Sequence, residues 1–278
     1  MCSINVVYRG AIPLLIIFVI LISKDGFSYE KIVSLVPSVT KQIILLGKGD
    51  NIVGKTTFCP PYKGVNDKAK IVGSAVEANI EKIYHLKPDL VILGSLNNSR
   101  DIENLKSLKL NVKIFPYPKS LEDIFQQTLE IGKLVNSYEK ALTLVKNSRE
   151  KLSMIQFNAK KHTPKKVFIQ IGVKPLFTAP KGTYIDDALT KINLINIAGD
   201  TSNGMFNKEI VISRNPDIIL IMDMGGIGKN EISNWKKFTS INAVKNNKIF
   251  IIDANKLGSY ALPEFIDYIE EIAEIVHR

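Results

Sequence analysis

Two stretches of the chain carry the same pattern of polar and apolar positions. The first, Glu81 to Leu93, reads as the last turns of a helix, a break at Lys87-Pro88-Asp89, and a run of branched apolar residues. Proline cannot continue a helix and favours extended geometry in the residue before it, so we expect Lys87 to be extended. An uninterrupted apolar run after such a break is typical of a parallel strand covered on both faces.

The second stretch, Glu209 to Ile221, repeats the glutamate, the Pro-Asp break and the apolar run at the same spacing. Glu81 therefore pairs with Glu209, and Pro88 pairs with Pro216. A duplicated helix–strand unit indicates two α/β lobes, and ligands bind in the shared cleft of such folds. The alternative is that a helix, a Pro-Asp break and a strand recur by chance.

Between the two repeats the apolar positions take a helical spacing over residues 120–158. Gly132 and Asn136-Ser137 indicate a break, which leaves a second helix from Tyr138 to Asn158, roughly 30 Å long at 1.5 Å per residue. We predict an α/β fold with two Rossmann-like lobes joined by one long helix, and with the ligand cleft between them. The predicted parts are an N-terminal α/β lobe at 29–119, a connecting helical region at 120–160 and a C-terminal α/β lobe at 161–278.

The beginning of the chain has a different character. Residues Ala11 to Ile22 are nearly all apolar and follow Arg9. A run of that length is short for a membrane span and suits the core of a signal peptide. We therefore predict a signal peptide over residues 1–28 and export to the periplasm, with an uncleaved membrane anchor as the alternative. No cysteine follows the apolar run, which disfavours a lipid anchor.

The charge and the cysteine content limit the kinds of binding partner and of disulfide bond that we expect. The formal net charge is +10 at pH 7, but the lysines are scattered and no nucleic-acid motif accompanies them, so we predict no nucleic-acid partner. Cys2 would leave with the signal peptide, and Cys59 alone forms no intramolecular disulfide. We interpret Cys59 as a small buried hydrophobe, with contact to a haem or a metal as the alternative.

The chain is poor in catalytic constellations. His85, His162 and His277 lie far apart in the sequence and suggest neither a catalytic triad nor a zinc site. The segment from Gly225 to Lys229 imitates a phosphate-binding loop, but it lacks the following serine or threonine and does not follow the first strand. We therefore predict no enzyme activity, no metal site and no cofactor, and interpret this segment as a flexible cleft loop.

The order and spacing of these segments resemble the substrate-binding proteins of metal-chelate ABC importers, the group that takes cobalamin, ferric siderophores and haem. The resemblance covers about residues 30–278. It is carried by Ile-Val-Ser-Leu-Val-Pro-Ser-Val-Thr at 32–40, by Leu46-Gly47, by residues 80–91 and by residues 166–178. The last of these segments is especially similar to the cobalamin-binding branch.

The resemblance implies roles for several residues. In that family one glutamate on the outer tip of each lobe docks onto arginines of the permease, and Glu81 and Glu209 match those positions. A charged contact on each lobe would fix the register on a two-fold permease dimer. The alternative is that both are ordinary exposed glutamates on helices.

Ligand-binding positions also carry over. Phe58 and Phe177 match aromatic residues on the two facing lobes. The positions after the last strand fall near Lys256, which would meet an anionic group of the ligand, and Tyr260, which would stack or donate a hydrogen bond. Both could instead be solvated loop residues. Three positions depart from the tryptophans of the cobalamin branch: Ala75, Gly94 and approximately Asn203.

The resemblance therefore implies a non-catalytic protein. We expect it to capture a metal chelate, either a corrinoid such as cobalamin or a ferric siderophore or haem, and to deliver it to an ABC transporter permease dimer. The alternatives are a membrane-tethered ligand sensor or binding module, and a two-lobed nucleotide-sugar enzyme. Because one connecting helix permits only a small closing motion, we expect a largely preformed cleft.

Overall fold

The N-terminal lobe is a parallel sheet flanked by helices. The structure is a computed structural model that describes residues 28–59, 68–74, 76–201, 203–223, 225–226 and 228–278. In this part of the chain the N-terminal strands follow the order β3-β2-β1-β4-β5. The elements are β1 (Ile32–Ser34), α1 (Pro37–Leu45), a 3₁₀ turn (Gly49–Asn51), β2 (Ile52–Lys55), β3 (Lys70–Ile71), α2 (Ile80–His85), β4 (Leu90–Gly94), α3 (Ser99–Ser107) and β5 (Val112–Phe115).

Two helices lead to the C-terminal lobe, whose main sheet is also parallel and has the order β11-β10-β6-β9. The connecting helices are α4 (Leu121–Leu134) and α5 (Tyr138–Ala159). The remaining elements are β6 (Lys165–Gln170), β7 (Gly172–Val173), β8 (Leu176–Phe177), α6 (Tyr184–Lys191), β9 (Leu194–Asn196), α7 (Lys208–Arg214), β10 (Ile218–Asp223), α8 (Gly228–Trp235), α9 (Asn242–Lys245), β11 (Ile249–Asp253), α10 (Ala254–Gly258) and α11 (Glu264–His277). Strands β7 and β8 form a separate antiparallel hairpin.

The predicted fold is confirmed: two α/β lobes are joined by one long helix. Helix α5 has 22 residues, about 33 Å at 1.5 Å per residue. The break before it is also confirmed, because α4 ends at Leu134 and Asn136 has a positive φ of 48°. Within the described residues no helix is both long and apolar enough to cross a membrane. Residues 1–27 of the predicted signal peptide lie outside the described residues.

The internal repeat is visible in the sheets. The order β2-β1-β4-β5 in one lobe corresponds to β9-β6-β10-β11 in the other. The register agrees as well, because Ile32 faces Leu90 and Val167 faces Ile218 in the two central strand pairs. The two lobes therefore share one scaffold, and the repeated sequence pattern occupies the same place in each.

The repeated Pro-Asp break has a structural role in each lobe. Asp89 accepts hydrogen bonds from the backbone N–H of Lys31, at 3.1 Å, and of Glu30, at 2.8 Å. Asp217 accepts from the backbone N–H of Lys166 at 2.9 Å. Each aspartate thus ties the start of the central strand to the start of its neighbour, which fixes their register.

The expectation of an extended Lys87 is wrong. Lys87 has a φ of +47°, and Asn215, its counterpart in the other lobe, has a φ of +45°. Both residues adopt the left-handed conformation at the end of their helices, a conformation that terminates a helix. The proline that follows lies outside the helix, so its missing N–H costs no helical hydrogen bond.

Each sheet lies between two apolar layers, and the connecting helices take part in both lobes. The first half of α4 packs in the C-terminal core through Leu121 and Phe125, while its end packs in the N-terminal core through Ile131. Helix α5 does the reverse, with Ala141 in the N-terminal core and Ile155 in the C-terminal core. Helices α4 and α5 therefore hold the lobes together, because each packs in the apolar core of both lobes.

The outer layer of the C-terminal lobe contains a buried polar network. Trp235 is 0% exposed and donates from Nε1 to Oε1 of Gln170 at 2.6 Å. Nε2 of Gln170 in turn donates to the carboxylate of Glu231 at 2.7 Å. All three side chains are satisfied inside the core, so Trp235 is held by packing and by a directional bond.

Candidate functional site

The two lobes meet around a cavity at the carboxyl ends of the N-terminal strands. Its volume is about 150 Å³. This is the edge at which open α/β sheets bind ligands, because loops and helix starts converge there. The lining residues are apolar, phenolic or small and polar: Leu35, Val36, Pro37, Ser38, Gly94, Ser95, Leu96, Asn97, Phe115, Tyr117, Gly258 and Tyr260. The C-terminal lobe contributes the last two of them.

Ser38 and Tyr260 connect the lobes at this cavity. Helix α1 begins at Pro37, its N-cap residue is Val36, and no side chain caps it. Proline is favoured at the first helical position, because its missing N–H has no partner there in any case. Ser38 therefore lies inside the first turn, where it is buried, lines the cavity with Tyr260 and lowers the pKa of that phenol against the larger effect of burial.

Three tyrosines from different elements cluster beneath the cavity. The ring centroids of Tyr184 and Tyr260 are 5.1 Å apart, and those of Tyr117 and Tyr184 are 5.4 Å apart. Tyr184 also donates from its hydroxyl to the carbonyl of Leu257 at 3.1 Å. Burial raises the pKa of all three phenols above the ordinary value. These groups are therefore neutral hydrogen-bonding and stacking groups at physiological pH.

The rim of the cleft carries exposed apolar side chains from both lobes. On the N-terminal side, Phe58, Val76 and Leu96 follow β2, β3 and β4 and are 65%, 55% and 64% exposed. On the C-terminal side, Phe177 and Met205 pair through an isolated bridge and are 37% and 57% exposed. The three N-terminal residues lie beyond the carboxyl ends of their strands, and Phe177 ends the hairpin that follows β6, so the entrance offers apolar surface to a ligand.

Phe177 is held in place by the loop beside it. Gly204 has a φ of +70°, and a Cβ there would come within 2.7 Å of Cζ of Phe177. The ring therefore lies directly over the glycine, in the loop where the cobalamin branch carries a tryptophan near Asn203. Phe58 and Phe177 both lie at the cleft edge, and neither lines the cavity. Their role as ligand contacts stays a prediction.

Lys256 lies away from the cavity, on α10. Its Nζ is 2.9 Å from Oε2 of Glu271 and lies 5.0 Å from the centroid of the Tyr268 ring. The side chain lines a second, separate pocket of about 180 Å³ together with Lys41, Glu264, Asp267 and Glu271. Its charge is directed at α11, so of the four predicted ligand residues only Tyr260 reaches the cavity.

The two predicted docking glutamates occupy equivalent places. Glu81 is the second residue of α2, after Asn79, whose side chain accepts from the backbone N–H of Lys82 at 2.9 Å. Glu209 is the second residue of α7, after Asn207, whose side chain accepts from the backbone N–H of Ile210 at 2.8 Å. Both glutamates are exposed. The repeat therefore includes the capping residues Asn79 and Asn207, which stand two residues before the two glutamates in the sequence.

The glycine-rich segment after β10 does not offer a phosphate site in its described part. Oδ1 of Asp223 accepts from the backbone N–H of Gly226 at 2.9 Å and of Gly228 at 3.2 Å. A carboxylate thus occupies the amides that a phosphate would need. Met224 and Ile227 lie outside the described residues.

Cys59 is buried, and its Sγ lies 3.5 Å from Oγ1 of Thr56. Within the described residues no group of three or more histidine, cysteine, aspartate or glutamate side chains is arranged to hold a metal ion. Residues 60–67, which follow Cys59, are not described. The buried environment agrees with the interpretation of Cys59 as a small hydrophobe.

Sequence reasoning missed Tyr117, Tyr184 and Gln42. The tyrosines are brought together by three distant parts of the chain, and no local pattern marks them. Gln42 is 2% exposed and joins α1 to the other lobe through Leu262. A polar residue at an inward-facing position of an otherwise apolar helix face was the available signal.

The periplasmic binding protein family model matches residues 32–256. The chain belongs to this family. An uncharacterized ABC transporter substrate-binding lipoprotein of Bacillus subtilis, YvrC, is 33% identical over 256 residues, covering 89% of this chain and 80% of that protein. A vitamin B12-binding protein of Pectobacterium atrosepticum is 26% identical and covers 75% of this chain and 76% of its own length.

The fold agrees with a solved structure of the same kind. A possible iron-binding, periplasmic solute-binding protein from Staphylococcus epidermidis superimposes with a TM-score of 0.79 at 29% identity, covering 91% of this chain and all of that chain. Membership in the periplasmic binding protein family confirms the predicted resemblance and gives the chain a substrate-binding role. The relatives named are binding proteins rather than enzymes.

Proposed function

We propose that this periplasmic binding protein captures a metal chelate outside the cytoplasm and delivers it to the permease of an ABC transporter. The chelate is a corrinoid such as cobalamin, or a ferric siderophore or haem, and it is held in the cleft between the lobes. Glu81 and Glu209 are the residues that dock onto the permease dimer. No catalytic step is involved.

The equivalent placement of the two glutamates carries this proposal. Each is exposed, each is the second residue of a helix capped by asparagine, and each helix returns the chain from the cleft edge to a central strand. Two carboxylates presented identically by duplicated lobes suit a partner that has two-fold symmetry and basic residues at matching positions. An enzyme or an isolated sensor has no need for this equivalence.

The composition of the cleft supports a large ligand with an apolar body. Among the residues that the structure describes, none that lines the cavity is charged, and the rim adds Phe58, Leu96 and Phe177. Such a surface gains affinity by burying apolar area, while Ser38, Asn97 and Tyr260 supply a few directional contacts. Vitamin B12 and iron are the ligands in the descriptions of two of the relatives.

Ligand binding is tested with a panel of chelates. The purified protein lacking residues 1–28 is heated with cobalamin, cobinamide, haemin or ferric siderophores, each at increasing concentration. A ligand that binds the folded state alone raises its stability by about 2.7 kcal/mol at a hundredfold excess over the dissociation constant. We expect a concentration-dependent rise in the melting temperature with one compound of the panel.

Two matched variants locate the binding site. Leu96→Glu introduces a charge at the cavity, and Met154→Glu introduces the same charge on α5, at a side chain of nearly equal exposure, 62% against 64%. The first should weaken binding at least about tenfold, since a carboxylate must be desolvated beneath the ligand, and the second should leave binding unchanged. Equal affinities for the two variants would place the ligand elsewhere, and no shift with any compound would reject the chelate.

A further inference from the structure

A buried glutamine joins the two lobes next to the cavity. Gln42, on α1 of the N-terminal lobe, is 2% exposed. Its Nε2 donates to the carbonyl of Leu262 at 3.2 Å, and its Oε1 accepts from the backbone N–H of Leu262 at 2.7 Å. Leu262 is 0% exposed and lies in the segment that leads into α11. The contact spans 220 residues of sequence and both lobes.

The geometry leaves little freedom in this contact. A side-chain amide that bonds both the N–H and the C=O of one residue imitates a neighbouring antiparallel strand. The hydroxyl of Thr128, on α4, donates to the carbonyl of Ile124 at 2.9 Å and lies 3.3 Å from the same Oε1, so α4 also contacts the amide, whose orientation is fixed by the two bonds to Leu262. Any sliding of Leu262 along α1 breaks both hydrogen bonds and leaves buried polar groups unpaired, which is costly.

The same face of α1 holds the cavity tyrosine. Ser38 lies one turn before Gln42 and lines the cavity together with Tyr260, which precedes Leu262 by two residues. On the other side, Nζ of Lys41 is 2.5 Å from Oε2 of Glu264. Three successive contacts thus attach residues 260–264 of the C-terminal lobe to α1. The contact made by Gln42 is buried and consists of two hydrogen bonds to Leu262.

We propose that Gln42 is a positioning residue for the binding site: by holding Leu262 it seats Tyr260 in the cavity and fixes the angle between the lobes before ligand arrives. The inference rests on the proposed function, because it assigns Gln42 a part in ligand affinity. It predicts that the angle between the lobes is determined by the hydrogen bonds between Gln42 and Leu262, in addition to the stiffness of the connecting helices.

The first test measures the angle between the lobes without ligand. Spin labels are attached at K106C on α3 and K245C on α9, both exposed positions, in a Cys59→Ser background. We expect a narrow distance distribution in the parent protein and a broad or shifted one in Gln42→Met, which keeps the volume but loses both hydrogen bonds. Gln170→Met is the matched control: that glutamine is 1% exposed and makes two side-chain hydrogen bonds inside one lobe.

The second test compares affinities for the compound that stabilises the parent protein. Gln42→Met should bind it about tenfold more weakly, equivalent to about 1.4 kcal/mol, at a temperature where it is fully folded. Gln170→Met should lose thermal stability to a similar degree and retain its affinity. Equal losses of affinity in both variants would reduce Gln42 to an ordinary buried polar residue and overturn the proposal.

A conservative variant gives a third readout. In Gln42→Glu the ionised carboxylate still accepts from Leu262 but cannot donate to its carbonyl, whereas the protonated acid can do both. We expect the label distances of this variant to narrow towards the parent distribution as the pH is lowered from about 9 to about 5, with the pH of the change reporting its raised pKa. The parent protein, measured over the same range, controls for other titrating groups.

The outcomes separate the two hypotheses. If the parent protein binds none of the chelates, the proposed function fails, while the label distances still decide whether Gln42 fixes the lobes. If chelate binds and Gln42→Met shows the parent distances and affinity, the proposed function stands and the role of Gln42 is rejected. A Gln42→Glu variant whose distances do not change with pH would also contradict the inference.

Discussion

The two lobes share a scaffold and differ at the cleft. Four parallel strands of the N-terminal sheet correspond in order to the four of the C-terminal sheet. Both lobes also have an asparagine-capped helix with an exposed glutamate, and an aspartate that ties two strands together. After the first strand they diverge. The N-terminal lobe goes directly into α1, which lies against the cavity, whereas the C-terminal lobe inserts the β7–β8 hairpin with Phe177.

The repeated parts and the divergent parts of the lobes have different roles. The parts that repeat form the frame and present the glutamates, which suits a partner with two-fold symmetry. The parts that differ form the cavity between the lobes, which is the proposed ligand site. The N-terminal lobe supplies most of the cavity wall, and the C-terminal lobe closes it with Gly258 and Tyr260.

Removing both glutamates tests the shared part of the scaffold. If the proposed docking role holds, we expect Glu81→Ala combined with Glu209→Ala to reduce uptake of the chelate to background in cells that depend on this protein, because both proposed charged contacts with the permease would be lost. Each single variant should reduce uptake in part. Affinity for the chelate, measured on the purified double variant, should match that of the parent, and a loss of affinity would place these residues in the cleft.

Matched core truncations test whether the lobes fold together. Leu93 and Ile221 end the repeated stretches, and they are 0% and 1% exposed. Truncating either to alanine should cost about 2–5 kcal/mol of unfolding free energy. Because α4 and α5 pack in both lobes, we expect one cooperative transition at a lower temperature in calorimetry for either variant. Two separate transitions would show that the lobes unfold independently.

Much of this comparison was predictable from the sequence. The repeated Glu, Pro-Asp and strand gave the lobes, and the interrupted apolar spacing gave α5 within one residue of its end. The left-handed Lys87 and the buried Ser38 were not predicted, because alternative local conformations are close in energy and tertiary contacts decide between them. The tyrosine cluster depends on residues far apart in the chain, and no local rule brings them together.

The strand-tying aspartates allow a finer comparison between the lobes. Asp89→Ala removes the acceptor for two backbone N–H groups, and Asp217→Ala removes the acceptor for Lys166 N–H and for the side chain of Asn242. Each should lower the unfolding free energy by about 1–3 kcal/mol in denaturant titrations. The corresponding asparagine variants keep one acceptor oxygen and should lose less, and equal losses would contradict this role.

The contact region between the lobes should respond to alkaline pH. Burial raises the pKa of Tyr117, Tyr184 and Tyr260 in the folded state, so their stabilising effect is complete below the unfolded value of about 10 and is lost as the pH rises above it. The melting temperature should fall modestly from that pH upward, while phenolate absorbance should rise as the buried tyrosines become exposed and ionise. Tyr260→Phe should weaken this dependence, and an unchanged dependence would exclude Tyr260 as a source.

The buried Trp235 is the single tryptophan of the sequence and can be excited selectively over the tyrosines. Its indole is shielded from solvent and hydrogen-bonded to Gln170 within the C-terminal lobe. Collisional quenchers dissolved in water therefore have no direct access to it. A coloured chelate in the cleft would dim its emission through space by dipolar energy transfer, while a colourless ligand would leave the emission unchanged. The spectrum of the ligand, more than the contact it makes, would set the optical signal of binding.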